Sequence, residues 1–295
     1  MGEIMQGFQN FKLKAKDGAN INALSLGIDS DNKKGIVLIC HGFGEHVTSY
    51  REFMERLWQS GYASISFDQR GHGKPPEGVS LDKWQGIIKG YHDFMDDIST
   101  LVEYLKEKAP STPLIIYGHS MGGNIVANAL LRLPKDQISA FSGAVLESPW
   151  MELYKPLSPT LSCVIKVMNV FAPNVVQKIK FNADEVSSVT EKQKVYTSDQ
   201  YYHGSMSVRM MNDMTKGCAY ALKNADKLSV KTFLACADNE LVLSNKAMHD
   251  FADKANRNGD IVTVKTYKSN HAIHNDASQE EYCDDVIAFL DLQVK

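Results

Sequence analysis

Ser120 stands in Gly118-His119-Ser120-Met121-Gly122-Gly123, a G-x-S-x-G with one further glycine. A serine hydroxyl is a weak nucleophile until a neighbouring base takes its proton. With that help it can attack an acyl carbonyl. Residues 113–116 before the motif read as a short buried strand, and residues 124–131 after it read as a helix. A G-x-S-x-G between strand and helix is a nucleophile elbow. Its glycines flank a turn in which a neighbouring Cβ would meet strand or helix. The serine is forced into a strained conformation, and the following amide points to where an oxyanion would form.

Catalytic groups of an open α/β sheet lie at the carboxyl ends of its strands. Asp238 directly follows the apolar stretch 230–237, and His271 follows 262–267 after Lys268-Ser269-Asn270. Ser120, Asp238 and His271 are then in the chain order nucleophile, acid, histidine. His271 would take the serine proton and return one to the leaving group, while Asp238 would fix its tautomer. His274, three residues on, competes with His271. His92, His203 and His249 read as surface or packing residues. Asp226 and Asp260 precede their strands and so sit at the wrong sheet edge. The oxyanion donors are expected to be the Met121 amide and the Phe43 amide. Phe43 lies in His41-Gly42-Phe43-Gly44, after the strand ending at Cys40. His41 is read as bonding that loop's backbone. Neither G-x-G-x-x-G nor a Walker Lys-Ser/Thr accompanies these glycines, which disfavours a phosphate site.

The elements that must hold these groups follow from periodicity. Residues 8–28 alternate around Asp17-Gly18, with Phe11, Leu13 and Ala15 on one face, and predict an antiparallel hairpin. The unbroken apolar run 35–40 predicts a central parallel strand. A helix over 50–60, strand 62–67, helix 91–108, the elbow strand and a strand at 141–146 continue the alternation. After residue 228 come strand 230–237, helix 245–256, strand 262–267 and helix 279–292. The expectation is an α/β fold with a mostly parallel sheet and helices on both faces. Between 150 and 228 the pattern is mostly helical without a strand signal. It reads as a helical cap (150–228) inserted in a core of 1–149 and 229–295. There Leu161, Val164, Ile165, Met168 and Phe171 recur at helical spacing, and Val167 and Val170 widen the arc. An acyl-chain groove or a surface for membrane or micelle contact is expected from them. Met206, Met210, Met211 and Met214 fit ordinary packing or a flexible ligand. Substrate contacts are accordingly placed at Val164, Val167, Met168 and Met210.

Composition narrows the partners. The 32 Lys plus Arg against 35 Asp plus Glu give a net charge of −3, no footprint for nucleic acid. Cys40, Cys163, Cys218, Cys236 and Cys283 are odd in number and scattered. Buried free thiols in a reducing compartment are expected, and a zinc site is not. The first residues lack a basic stretch and an apolar stretch, Gly2 lacks a Ser or Thr at position 6, and no run is long enough to span a bilayer. The expected location is the cytoplasm.

His41-Gly42-Phe43-Gly44-Glu45-His46, then Asp68-Gln69-Arg70-Gly71-His72-Gly73, then the elbow, resemble the signature set of the monoacylglycerol lipase/lysophospholipase group of α/β-hydrolases. The likeness runs from about residue 34 to the C-terminus and includes Ala237-Asp238 and Asn270-His271. It implies the α/β-hydrolase fold, Ser120, Asp238 and His271 as triad, and Phe43 and Met121 as oxyanion donors. Asp68, Arg70 and His72 match family positions and are expected to organise loops. Lys74-Pro75-Pro76, where a small residue such as Ser is usual, and Ser198-Asp199-Gln200, in place of the usual Asp-Pro, depart from the pattern. The expected function is a serine esterase acting on lipid-like monoesters through an acyl-enzyme, with no metal or organic cofactor. Monoacylglycerol comes first, lysophospholipid or a short-chain ester next. Ser120 disfavours dehalogenase or epoxide hydrolase chemistry, which expects an Asp nucleophile. Peptidase or acyltransferase use of the acyl-enzyme, and a non-catalytic binding fold, are the remaining rivals.

Overall fold

A computed structural model describes residues 7–180 and 182–294. Residues 1–6, on which the absence of a secretion or myristoylation signal was read, lie outside the described residues. Strands β1 (Phe8–Lys14) and β2 (Asn20–Leu26) form the hairpin. There follow β3 (Gly35–Cys40), α1 (Arg51–Gln59), β4 (Tyr62–Phe67), α2 (Leu81–Trp84), α3 (His92–Lys108), β5 (Leu114–His119), α4 (Met121–Arg132), α5 (Lys135–Ile138) and β6 (Phe141–Glu147). Next are α6 (Pro159–Phe171), β7 (Val176–Lys178), α7 (Ala183–Val186), α8 (Thr190–Ser198), β8 (Ser205–Ser207) and α9 (Val208–Asn224). The chain closes with β9 (Thr232–Ala237), α10 (Asn245–Ala255), β10 (Val262–Tyr267) and α11 (Gln279–Gln293).

The main sheet has the order β1-β2-β4-β3-β5-β6-β9-β10. Its first three strands pair antiparallel and all later neighbours pair parallel. Why the central strands read as unbroken apolar runs is visible in β3. Ile36, Leu38 and Cys40 enter the core on the side of α3, α4, α9 and α10, while Val37 and Ile39 enter the core with α1 and α11. Each face of the pleat is covered, so neither parity of residue meets water. Full burial of one such side chain contributes about 1.5–3 kcal/mol. The parallel strands all deliver their carboxyl ends to one sheet edge. His41, Asp68, Ser120, Ser148, Asp238 and His271 follow β3, β4, β5, β6, β9 and β10 there.

The stretch 150–228 differs from its sequence reading in two ways. It contains strands, since β7 and β8 pair antiparallel with Val176 opposite Ser207. Three residues are too few to display a period of two, so no signal was legible. Further, α9 is a core helix. Met210, Met214, Cys218 and Ala221 share one face, are buried, and belong to the main core beside α4. Met210, expected at the substrate, is 0 % exposed in that core.

The helix α6 begins where its sequence says it should. Pro159 occupies the first turn and the Ser158 hydroxyl accepts from the Leu161 amide. Its apolar residues do not bury: Val164 and Val167 are half exposed, and Val170 and Phe171 are 72 % and 84 % exposed. Among the thiols, Cys40, Cys218, Cys236 and Cys283 are free and buried, whereas Cys163, on α6, is exposed rather than buried as expected. Among the described residues no helix is long and apolar enough to cross a membrane.

The sheet edge is tight where β3 meets α4. A Cβ on Gly122 would run into the backbone carbonyls of Cys40 and His41. Gly122→Ala is therefore expected to lower stability by about 3 kcal/mol, read as a fall in thermal midpoint. An unchanged midpoint would contradict this packing.

Candidate active site

Ser120 has φ 52° and ψ −116°, a left-handed region unfavourable for a residue with a Cβ. The turn tolerates this because Gly118, Gly122 and Gly123 stand around it. A Cβ on Gly118 would meet the Gly122 carbonyl, and one on Gly123 would meet Pro149. Hydrogen bonds hold the turn from the β6 side. The Ser120 amide donates to the Glu147 carbonyl at 2.9 Å, and the Trp150 amide donates to the Ser120 carbonyl at 2.9 Å. Met121 opens α4 immediately after, where amides of the first turn have no intrahelical acceptor.

The His271 ring spans the gap to Ser120. Its Nε2 lies 2.9 Å from Ser120 Oγ, and its Nδ1 lies 2.7 Å from Glu240 Oε2. The carboxylate beside the histidine is thus Glu240, not the expected Asp238. Asp238 is exposed and accepts the Ser269 amide at 3.0 Å. The reason is the path of the turn. Asp238 and Asn239 lead out of β9 into solvent, and the chain re-enters the core only at Glu240. The other oxygen of Glu240 accepts the amides of Val242 and Leu243 at 2.9 and 3.0 Å, which fixes the carboxylate plane. No local signal separates the two in sequence: Asp238 follows the apolar run ending at Ala237, Glu240 precedes Leu241-Val242-Leu243, and Asn239 adjoins both.

Burial disfavours charge on both partners, yet the pair overcomes it. For Glu240 burial pushes the carboxyl up, but the His271 charge, its hydrogen bond and the two amides bring it below the usual range. For His271 burial pushes the imidazole down, and the Glu240 charge and hydrogen bond raise it above the ordinary value. The competitor His274 is directed elsewhere: its Nδ1 sits 2.9 and 3.0 Å from the two Glu147 oxygens. His119 is buried, with its ring 4.8 Å from that of His271, and burial pushes it well below the ordinary histidine range.

The loop after β3 closes the opposite wall. Glu45 Oε2 accepts the Gly42 amide at 2.6 Å and the Tyr50 hydroxyl at 2.7 Å. His41 Nε2 accepts the Gln69 amide at 3.1 Å, and burial lowers its pKa to about 3, so this ring is a neutral loop brace. Phe43 and Ser120 line the same two cavities. Asp68 accepts the Val47 amide at 2.8 Å, Arg70 pairs with Asp97 and Asp17, and His72 Nδ1 meets the Arg70 carbonyl at 3.0 Å. All three organise loops, as expected. His203 lies over the β3 loop, its amide donating to the Gly44 carbonyl at 3.0 Å, while His92 and His249 are exposed. The departure at Ser198-Asp199-Gln200 has a local use, because Asp199 Oδ2 meets His46 Nε2 at 3.0 Å.

Two cavities meet at Ser120. One, of about 220 Å³, is lined by Glu45, Tyr196, Thr197, Tyr202 and His203 besides the β3 loop and His271. The other, of about 300 Å³, is lined chiefly by Trp150, Leu153, Ile179, Met206, Met211 and Leu241 to Leu243. None of Val164, Val167, Met168 and Met210, the expected substrate contacts, lines either cavity. Val164 and Val167 are half exposed on α6, with Met168 partly buried beside them, and Met210 packs inward. Met211, one residue on and about 100° around α9, packs at the edge of the core and reaches the larger cavity.

Comparison with known proteins agrees with this geometry. Residues 31–278 match the family Hydrolase_4, described as serine aminopeptidase, S33. The chain is 26 % identical to a monoacylglycerol lipase of Mycolicibacterium smegmatis over 87 % of its own length and 88 % of that protein. It is 22 % identical to phospholipase YtpA of Bacillus subtilis, covering 89 % of this chain and 97 % of that one. Among solved structures, a soluble variant of monoglyceride lipase from Saccharomyces cerevisiae superposes with a TM-score of 0.83 at 23 % identity, over 98 % of this chain and 95 % of that one. A chain with an elbow serine, an adjoining histidine and this sheet, matched over most of its length, belongs to the serine aminopeptidase S33 family of α/β-hydrolases.

Proposed function

We propose that the protein is a serine esterase that hydrolyses carboxylic esters of lipid-like substrates, monoacylglycerol first among them. The observation that carries this reading is the hydrogen-bonded chain Ser120–His271–Glu240 opening on two cavities, each lined by apolar and polar residues. The acyl chain takes the side of Trp150, Leu153, Met206 and Met211. The alcohol takes the side of Glu45, Tyr196 and Tyr202. Ser120 Oγ attacks the carbonyl carbon as His271 Nε2 takes its proton, and the amides of Phe43 and Met121 receive the oxyanion. The imidazolium then protonates the leaving alcohol, and His271 next activates water to release the acid. Glu240 holds the tautomer and balances the imidazolium charge. Glu45, the carboxylate of the smaller cavity, is already engaged by the Gly42 amide and Tyr50 hydroxyl, which favours a neutral alcohol there over a substrate ammonium. The lid of this reading is 150–207, with α9 counted to the core. The bare face of α6 touches a membrane or micelle while substrate is taken up.

A fluorophosphonate probe should label wild type and leave Ser120→Ala unlabelled; no labelling of wild type, or equal labelling of both, overturns the enzyme reading. Because the base works when neutral and its pKa is raised, kcat/KM should fall with acid through a limb above about pH 6.5. Glu240→Gln removes what raises it, so the limb should move below that value and kcat drop by about 10⁴. Asp238→Asn should cost less than about threefold, as expected for a surface change. The reverse ranking of these two variants would restore Asp238 as the acid. On p-nitrophenyl esters, Met211→Trp should depress dodecanoate turnover at least about tenfold more than acetate turnover; equal losses would move the acyl chain elsewhere. Val170→Ser with Phe171→Ser should weaken binding to lipid vesicles without altering turnover of a soluble short ester, and unchanged vesicle binding would remove α6 from membrane contact.

A further inference from the structure

Glu147 is a fully buried carboxylate at the end of β6, outside the Ser120–His271–Glu240 chain. Buried charge of this kind is costly unless it is paired and bonded. Every reach it makes ends on a part of the site. Its backbone carbonyl takes the Ser120 amide at 2.9 Å. Its Oε1 takes the His274 amide at 2.9 Å, and both oxygens meet His274 Nδ1. Its Oε2 also takes the Tyr117 hydroxyl, three residues before the nucleophile. Tyr50 stacks on the far side of His274 at 4.7 Å between ring centres, closing the group. His274 lies three residues after His271, in the short turn Ile273–Asn275.

His119, Glu147 and His274 bring donor atoms within 4.8 Å of one another, spacing that suits a cation. The Glu147 oxygens are, however, already occupied by Tyr117, the His274 amide and the His274 imidazole, so a tether fits the contacts better than a metal cradle. Burial pushes the Glu147 carboxyl up, and the charge of His274 and the bonds from His274 and Tyr117 bring it well below the usual range. It is therefore ionised while it holds these donors.

We propose that Glu147 is a positioning residue that sets the distance between Ser120 and His271, gripping the elbow by its backbone and the histidine turn by its side chain. This inference rests on the reading of Ser120 and His271 as nucleophile and base. Both grips belong to one residue at the rigid end of one strand. A shift of the His271 turn relative to the elbow is thereby resisted without any contact to substrate. Misplacement by about 1 Å can cost about 10² in rate.

The test is kcat and KM on a p-nitrophenyl ester, with fluorophosphonate labelling rates, for wild type, Glu147→Leu, Glu147→Gln and His274→Ala. Leu cuts the tether, and kcat and the labelling rate should fall about 10²-fold with KM within about twofold. Gln can still accept from His274 through Oε1 and donate to the Tyr117 oxygen through Nε2, so it should recover at least about tenfold over Leu. His274→Ala should lose kcat as Leu does, and it decides the matter if Leu fails to fold. The inference is overturned if Leu and His274→Ala keep kcat within about threefold of wild type, if Gln is no better than Leu, or if the loss lies in KM. A wild type that labels at Ser120 while these variants label at the same rate overturns this inference alone; a wild type that does not label overturns the function beneath it.

Discussion

Everything at the sheet edge depends on the strained turn at Ser120. A residue with a Cβ at φ 52° is held there only because its surroundings over-determine it. Glycines at 118, 122 and 123 let backbone approach backbone, and the segment after β6 clamps both polar groups of the serine backbone. Ser148 in that segment is itself left-handed, φ 39°, and its amide donates to the Ala235 carbonyl at 2.8 Å. Ser120 is itself buried, and its hydroxyl meets the His271 ring where two cavities reach it.

The electrostatics follow from that geometry. Three acids with distinct tasks stand around one serine, all buried: Glu45, Glu147 and Glu240. Each is satisfied by a different set of donors. Glu45 holds the β3 loop through an amide and a phenol, Glu147 meets both the elbow and the turn that carries His274, and Glu240 pairs with His271. In a low-dielectric site an unsatisfied carboxylate would protonate, so full pairing is what keeps Glu147 and Glu240 charged. The histidines divide in the same way. His41 and His119 are kept neutral by burial, whereas His271 and His274 are raised by carboxylates directly at their Nδ1 atoms.

The segment 150–207 answers to different rules. It is pinned to the core by backbone bonds such as His203 to Gly44 and by the His46–Asp199 contact. A Cβ on Gly44 would collide with the His203 carbonyl, so the loop after β3 and this segment pack as backbone on backbone. The apolar face of α6 points away from both cavities. An apolar stripe signals burial or a partner, and here the core has no room for it, since α9 already fills the space above α4.

Much of this was legible from residues alone. The strands 35–40, 62–67 and 262–267 have the bounds read from sequence, because an apolar run between turn signals has few alternatives, whereas β5 runs on to His119, three residues past its apolar run. The elbow and His271 were legible because local chain direction fixes where a strand's carboxyl end lies. The partner acid was not. Asp238 and Glu240 both follow β9, and choosing between them requires knowing which residue of the turn faces inward; Asn239 and Asp238 lead into solvent before Glu240 returns. The same limit applies to Met210 and Met211, adjacent residues about 100° apart around α9, and to Val164 and Val167, apolar yet outward. Sequence by itself determined the order of the main-sheet strands, the elbow serine and the histidine that meets it, all set by local pattern. Only the tertiary structure decided which carboxylate meets His271, the cavity walls and the place of α9, since these depend on which side of an element meets the rest of the molecule.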